Sequence, residues 1–139
     1  MAIEVSIQPP KARSPIYIFA FHPHPPTGPL AQAQRDCELF KVANLVSEDK
    51  HKNKIMIGDW NITPFAPAFG ETLRLSGLNY QGYGFLLNPT WPSFNIMTFL
   101  KIPIDHVLYS ENLVQVRKEN SKAFMSDHHA LIVHLAEKN

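Results

Sequence analysis

The apolar run Lys54-Ile55-Met56-Ile57 passes directly into Gly58-Asp59-Trp60-Asn61, and this junction constrains the chain more than any other segment. A run so short and so apolar reads as a buried strand, whose successive side chains alternate between faces. If the extended backbone continues to its end, Asp59 and Asn61 point the same way and Trp60 points opposite. Taken alone, Gly-Asp-Trp-Asn also reads as a turn, because Gly, Asp and Asn are turn residues. Near the C-terminus, Ser126-Asp127-His128 adds a second carboxylate beside an imidazole. Acid, amide and imidazole are the groups with which a protein holds a hard cation and works on a phosphate ester.

The elements around this junction describe an α/β (α+β) chain. Ile3 to Ile7 alternates like a strand, and Pro9 to Pro15 ends it. Ile16 to Phe21 is a second strand, followed by the loop His22-Pro23-His24-Pro25-Pro26. A helix is expected from about Leu30 to Lys50, because Leu39, Val42, Ala43 and Val46 recur at three- and four-residue spacing. Lys54 to Trp60 is the next strand, and Phe65 to Ser76 is a helix stopped at Gly77. Leu78 to Leu100 holds Gly82, Gly84, Pro89 and Pro92 and reads as loop with a short strand. Ile104 to Tyr109 and Leu113 to Val116 look like a hairpin, and His129 to Leu135 closes the sheet.

Four motifs follow in order: His22-Pro23, Gly58-Asp59-Trp60-Asn61, Ile104-Asp105-His106-Val107-Leu108-Tyr109-Ser110 and Ser126-Asp127-His128-His129-Ala130-Leu131-Ile132-Val133. Together they resemble the endonuclease/exonuclease/phosphatase (DNase I-like) superfamily, from about His22 to Leu135. Pro89-Thr90-Trp91-Pro92, followed by Ile102-Pro103-Ile104-Asp105-His106-Val107, is similar to its bacterial, often membrane-anchored branch. The resemblance implies a four-layer α/β/β/α sandwich, of which residues 1–139 would be one truncated domain, the C-terminal half to two-thirds. In that family the preceding half supplies an asparagine and a metal-binding glutamate. Glu4, in Ile3-Glu4-Val5-Ser6-Ile7, does not resemble that glutamate motif.

The resemblance also implies roles. Asp59 would bind metal or orient the nucleophile, and Asn61 would touch the scissile phosphate. Asp127 would lie at the metal site, with Mg²⁺ or Mn²⁺ the expected ion. His128 would be the catalytic histidine, Asp105 the carboxylate that orients it, and His22 a contact to a phosphate oxygen. The dyad has a physical case of its own: a carboxylate on one ring nitrogen fixes the tautomer and frees the other nitrogen for the phosphate. Among Trp60, Phe65, Trp91 and Phe94, the Pro-flanked Trp91 is the best candidate to touch substrate.

Other residues read more plainly. His24 is expected to be an exposed loop residue, and His106 to pack or bond backbone. His128 and His129 are adjacent on a strand and would face opposite ways, so they do not share one ion. Cys37 falls in the helix and is expected in the core, and Lys50, Lys52 and Lys54 form a solvated helix end.

A net charge of +1 argues against a strong, non-specific nucleic-acid binder, which would carry a basic stripe. No run of about 18 apolar residues exists to span a membrane. The N-terminus lacks a secretory signal pattern, so any anchor would lie upstream and place the domain outside the cytoplasm. The leading reading is a divalent-metal-dependent phosphoesterase acting on a phosphate-ester substrate, near background activity as the isolated chain. The alternative is a non-catalytic interaction module that keeps the fold without the metal glutamate. An uncovered sheet face is expected to drive self-association or to require a partner.

Overall fold

The computed structural model describes residues 2–10, 12–82, 87–94 and 100–138. Its elements run β1 (Ala2–Ile7), β2 (Ile16–Phe21), α1 (Pro29–Glu48), β3 (Asn53–Asp59), α2 (Pro67–Ser76), β4 (Asp105–Tyr109), β5 (Leu113–Asn120) and β6 (Leu131–Glu137). β1 to β4 form one sheet in that spatial order, and β5 and β6 form a second. β2 and β3 are parallel, joined by the α1 crossover; the β1–β2 and β3–β4 pairs are antiparallel. The chain is thus a mixed α+β fold, as its motifs imply.

One face of the larger sheet carries the core. Leu39, Val42, Ala43 and Val46 of α1 pack with Phe19 and Phe21 of β2, Met56 of β3 and Leu108 of β4. Trp60 and Phe69, both fully buried, close the end nearest the strand termini. α2 ends where expected, since Gly77 adopts φ 64° and its N–H caps the Leu73 carbonyl. Lys54 corrects the picture of a solvated helix end. Its ammonium donates to the carbonyls of Val46 and Asp49 at 2.7 and 2.8 Å and so satisfies the C-terminus of α1. Cys37 is exposed rather than in the core, because the buried stripe of α1 runs through Arg35, Leu39, Val42, Ala43 and Val46 and leaves position 37 outside it.

The opposite face is apolar and partly open. Ile3, Val5 and Ile7 stand opposite Ala20, Ile18 and Ile16, so all six share that face. The three β1 side chains are 55%, 45% and 43% exposed.

The expected β4–β5 hairpin does not form. A tight turn is present, with the Leu113 N–H donating to Ser110 at 3.0 Å, but β5 pairs with β6 instead. The outer edge of β4 is already used, because Asn79 and Tyr109 exchange both backbone hydrogen bonds. β6 therefore does not close the first sheet; it begins two residues later than expected and belongs to the second. Asn53 of β3 donates to Glu137 of β6 at 2.8 Å and ties one end of the second sheet to the first. The short strand expected between Leu78 and Leu100 appears only as bridges, Asn79 to Tyr109 and Trp91 to Ile102. Gly84 and residues 95–99 of that segment lie outside the described residues.

Candidate active site

The site begins with Gly58. Its φ of 154° lies where L side chains rarely go, and a Cβ there would strike the Phe21 carbonyl. Only glycine lets the end of β2 lie so close to β3. That approach brings His22, the first residue past β2, to 3.4 Å between its Nε2 and the Asp59 carboxylate.

Asp59 and Asn61 do converge, but not by strand alternation. β3 stops at Asp59, and Asn61 takes φ 52°, a left-handed turn that asparagine tolerates. The Asp59 carboxylate accepts the Asn61 N–H at 2.9 Å, so both readings of Gly-Asp-Trp-Asn hold part of the truth. The Trp60 side chain is driven fully into the core, and its backbone N–H donates to the Ile104 carbonyl at 2.9 Å. The Asn61 side-chain amide lies 3.1 Å from His22 Nε2 and 3.3 Å from the Pro23 carbonyl.

Arg35 escaped the sequence reading. Only 5% exposed, it donates to the Asn61 carbonyl at 2.7 Å and holds Asp36 through Nε and Nη2. The signal was present: Arg35 lies four residues before Leu39, on the apolar stripe of α1, where a charge needs a reason.

Asp105 opens β4, and His128 lies in the loop before β6. The His128 Nδ1 is 2.9 Å from Asp105 Oδ2, and its Nε2 is 3.7 Å from Asp59 Oδ2. Among the described residues, Asp59, Asp105 and His128 form the group whose ligand atoms all lie within 4.8 Å of one another. Asp127 is not in that group. Its carboxylate accepts from the Trp91 indole at 3.4 Å, and its carbonyl accepts from the Ser93 N–H at 2.7 Å. A cleft of about 480 Å³ nevertheless joins His22, Asp59, Asn61, Asp127, His128 and Trp91, with Pro25, Pro26, Ile102 and Ile104 as its apolar wall. The wall residues were not singled out from sequence.

Burial raises the Asp59 pKa, and neighbouring Asp105 pushes the same way, against the Asn61 N–H and the two histidines. A cation would relieve that cost. His106 lies outside the cleft wall, 1% exposed, donating Nε2–H to the Ile62 carbonyl at 2.7 Å. Burial lowers its pKa to about 4, so the ring is neutral. His129 is spent on structure, with Nδ1 at 3.0 Å from the Ser121 carbonyl and Nε2 facing the Lys101 ammonium at 3.2 Å. His24 turns to Glu38, 3.8 Å away, and Phe65 and Phe94 stand exposed. Glu4 sits on the exposed edge strand β1 and does not line the cleft.

A family model described as "Endonuclease/Exonuclease/phosphatase family" matches residues 2–128. The fold is similar to that of an endonuclease/exonuclease/phosphatase from Beutenbergia cavernae, at TM-score 0.77 and 18% identity, over 98% of this chain and 39% of that one. It is similar to the human Nocturnin catalytic domain with bound sulfate, at TM-score 0.71 and 18% identity, over 99% and 53%. A conserved protein of unknown function from Enterococcus faecalis superposes at TM-score 0.74 and 12% identity, over 99% and 56%. The chain therefore spans between 39% and 56% of these solved structures. No curated protein matches it.

Proposed function

We propose that this chain, which belongs to the endonuclease/exonuclease/phosphatase family, carries the phosphate-handling side of a divalent-metal-dependent phosphoesterase. One observation supports this above all: His22, Asp59, Asn61 and His128 line one cleft, with Asp105 2.9 Å behind His128. The donor chemistry fits a hard cation, because Asp59 is a carboxylate whose charge the fold leaves under-compensated. Asp59 would hold Mg²⁺ or Mn²⁺, with Asp127 lining the same cleft as the second carboxylate rather than a member of its close ligand group. Such an ion, when bound, supplies charge neutralisation at a phosphoryl oxygen.

The chain's own residues do the rest. Asn61 donates to a phosphoryl oxygen through its amide, and His22 makes a second contact beside it. Asp59 accepts a hydrogen bond from the attacking water and aims it. His128 faces the phosphate with Nε2, and Asp105 holds the ring in one tautomer and balances its charge when protonated. His129 takes no part.

The part-length match supports a second reading, a non-catalytic module that keeps the fold. It also supports an open sheet face that a second copy or another partner covers. The branch with Pro89-Thr90-Trp91-Pro92 suggests a bacterial domain on the outer side of a membrane; among the described residues no helix is long and apolar enough to cross one. The test compares this chain with one extended upstream to the length of the solved relatives. A bis-aryl phosphate with Mg²⁺ should be hydrolysed by the longer chain and only near background by these 139 residues. An inert longer chain would favour the non-catalytic module. Sedimentation of the short chain should show self-association; a clean monomer with normal turnover would overturn both expectations.

A further inference from the structure

The cleft is lined by two kinds of residue: His22, Asp59, Asn61, Asp127 and His128 are polar, whereas Pro25, Pro26, Trp91, Ile102 and Ile104 form an apolar or aromatic wall. Trp91 is the largest of these and is held on two sides. Its backbone exchanges hydrogen bonds with Ile102, at 3.2 Å from Trp91 N to Ile102 O and 2.7 Å in return. Its indole N–H reaches the Asp127 carboxylate at 3.4 Å. The ring is nevertheless 36% exposed, so it is fixed in place without being spent on the core. Pro25 and Pro26 line the same cleft as a rigid pair with little freedom to lose on contact.

Charge narrows the choice further. Among the described residues that line the cleft, none is Lys or Arg, whereas two are Asp. A substrate with several phosphates needs cationic side chains beyond the reacting centre, and this wall offers none.

We propose that this wall is a subsite for the uncharged, aromatic or apolar alcohol portion of a singly phosphorylated ester, stacked on Trp91 beside the phosphate. The inference rests on the phosphoesterase reading above. It assigns specificity to residues that do no chemistry: Trp91 supplies the aromatic face, and Pro25, Pro26, Ile102 and Ile104 the apolar lining around it.

The probes are two phosphonates that resist hydrolysis, methylphosphonate and phenylphosphonate, titrated with Mg²⁺ and followed by chemical-shift changes at His22 and His128. Phenylphosphonate should bind about tenfold more tightly, the equivalent of about 1.4 kcal/mol. Trp91→Ala should erase that difference, while Trp91→Phe should keep part of it. The wild-type comparison stands even if a Trp91 variant fails to fold. Methylphosphonate binding with no gain for the phenyl compound overturns the subsite and leaves the phosphoesterase reading intact. Binding of neither compound overturns both.

Discussion

The Nδ1 of His128 lies 2.9 Å from Asp105, although the two stand 23 positions apart, one opening β4 and the other in the loop before β6. The ring therefore donates Nδ1–H to the carboxylate and presents Nε2 to the cleft. In a chain extended to the length of its relatives, His128→Ala should lower phosphodiester hydrolysis by at least about 10²-fold, the lower scale for positioned acid–base groups. Asp105→Asn should cost a comparable factor through the wrong tautomer. His129→Ala should leave turnover nearly unchanged, because that ring serves Ser121 and Lys101. Equal losses at His128 and His129 in steady-state assays would show the assignment to be misplaced.

Arg35 should matter to the site without touching a substrate. Arg35→Ala removes the bond to the partly buried Asn61 carbonyl, at a cost of about 1 kcal/mol in urea unfolding. Amide signals of Asn61 and ring signals of His22 should shift in the same variant. Arg35→Lys should rescue little, since a single ammonium does not serve Asn61 and Asp36 together. Unmoved His22 signals would mean that the helix and the loop are uncoupled.

Asp59 gives a stability signature with a definite sign. Its pKa is raised in the fold, chiefly by burial, so the native state binds that proton more readily than the unfolded chain. Ionised Asp59 then destabilises the fold at neutral pH, and the cost disappears as pH falls below its ordinary value of 3.8. Asp59→Asn keeps the acceptor for the Asn61 N–H and should raise Tm at pH 7 by roughly 3 °C, with no gain near pH 3. Mg²⁺ should raise the wild-type Tm and not that of the variant. Thermal scans across pH and Mg²⁺ check both; a gain that persists at pH 3 would contradict the account.

His106 has the opposite sense. Its pKa is lowered from 6.5 to about 4 by burial, so the unfolded chain takes up a proton that the native ring refuses. Stability should fall as pH drops from 6.5 and level off near 4, by up to roughly 3 kcal/mol. His106→Phe keeps the aromatic packing against Trp60 and Phe69 and loses the Ile62 bond. It should be less stable at pH 7 by about 1 kcal/mol and show a flatter acid limb. An unchanged slope in denaturant melts between those pH values would falsify the assignment.

Much of this architecture is legible in periodicity. Leu39, Val42, Ala43 and Val46 mark the buried stripe of α1, and Gly77 marks the end of α2. Pairing partners are not, because a strand's sequence records which face is buried and not which edge is taken. That is why Leu113 to Val116 reads as the partner of β4 when Asn79 already occupies that edge. Motif order brings His22, Asp59, Asn61 and His128 to one place on paper, whereas the means is hidden. The close approach at Gly58, the left-handed Asn61 and the buried Arg35 are three-dimensional devices, and the sequence shows the residues without the geometry they adopt.

The dyad straddles a seam. Asp105 belongs to the first sheet and His128 to the loop that feeds the second, and the Asn53–Glu137 bond stitches the far end. Loosening of the small sheet should draw the His128 loop away from Asp105 before the helix-covered core opens. The Asp105–His128 pair should thus act as a gauge of assembly, parting in mild denaturant before the buried Trp60 senses water.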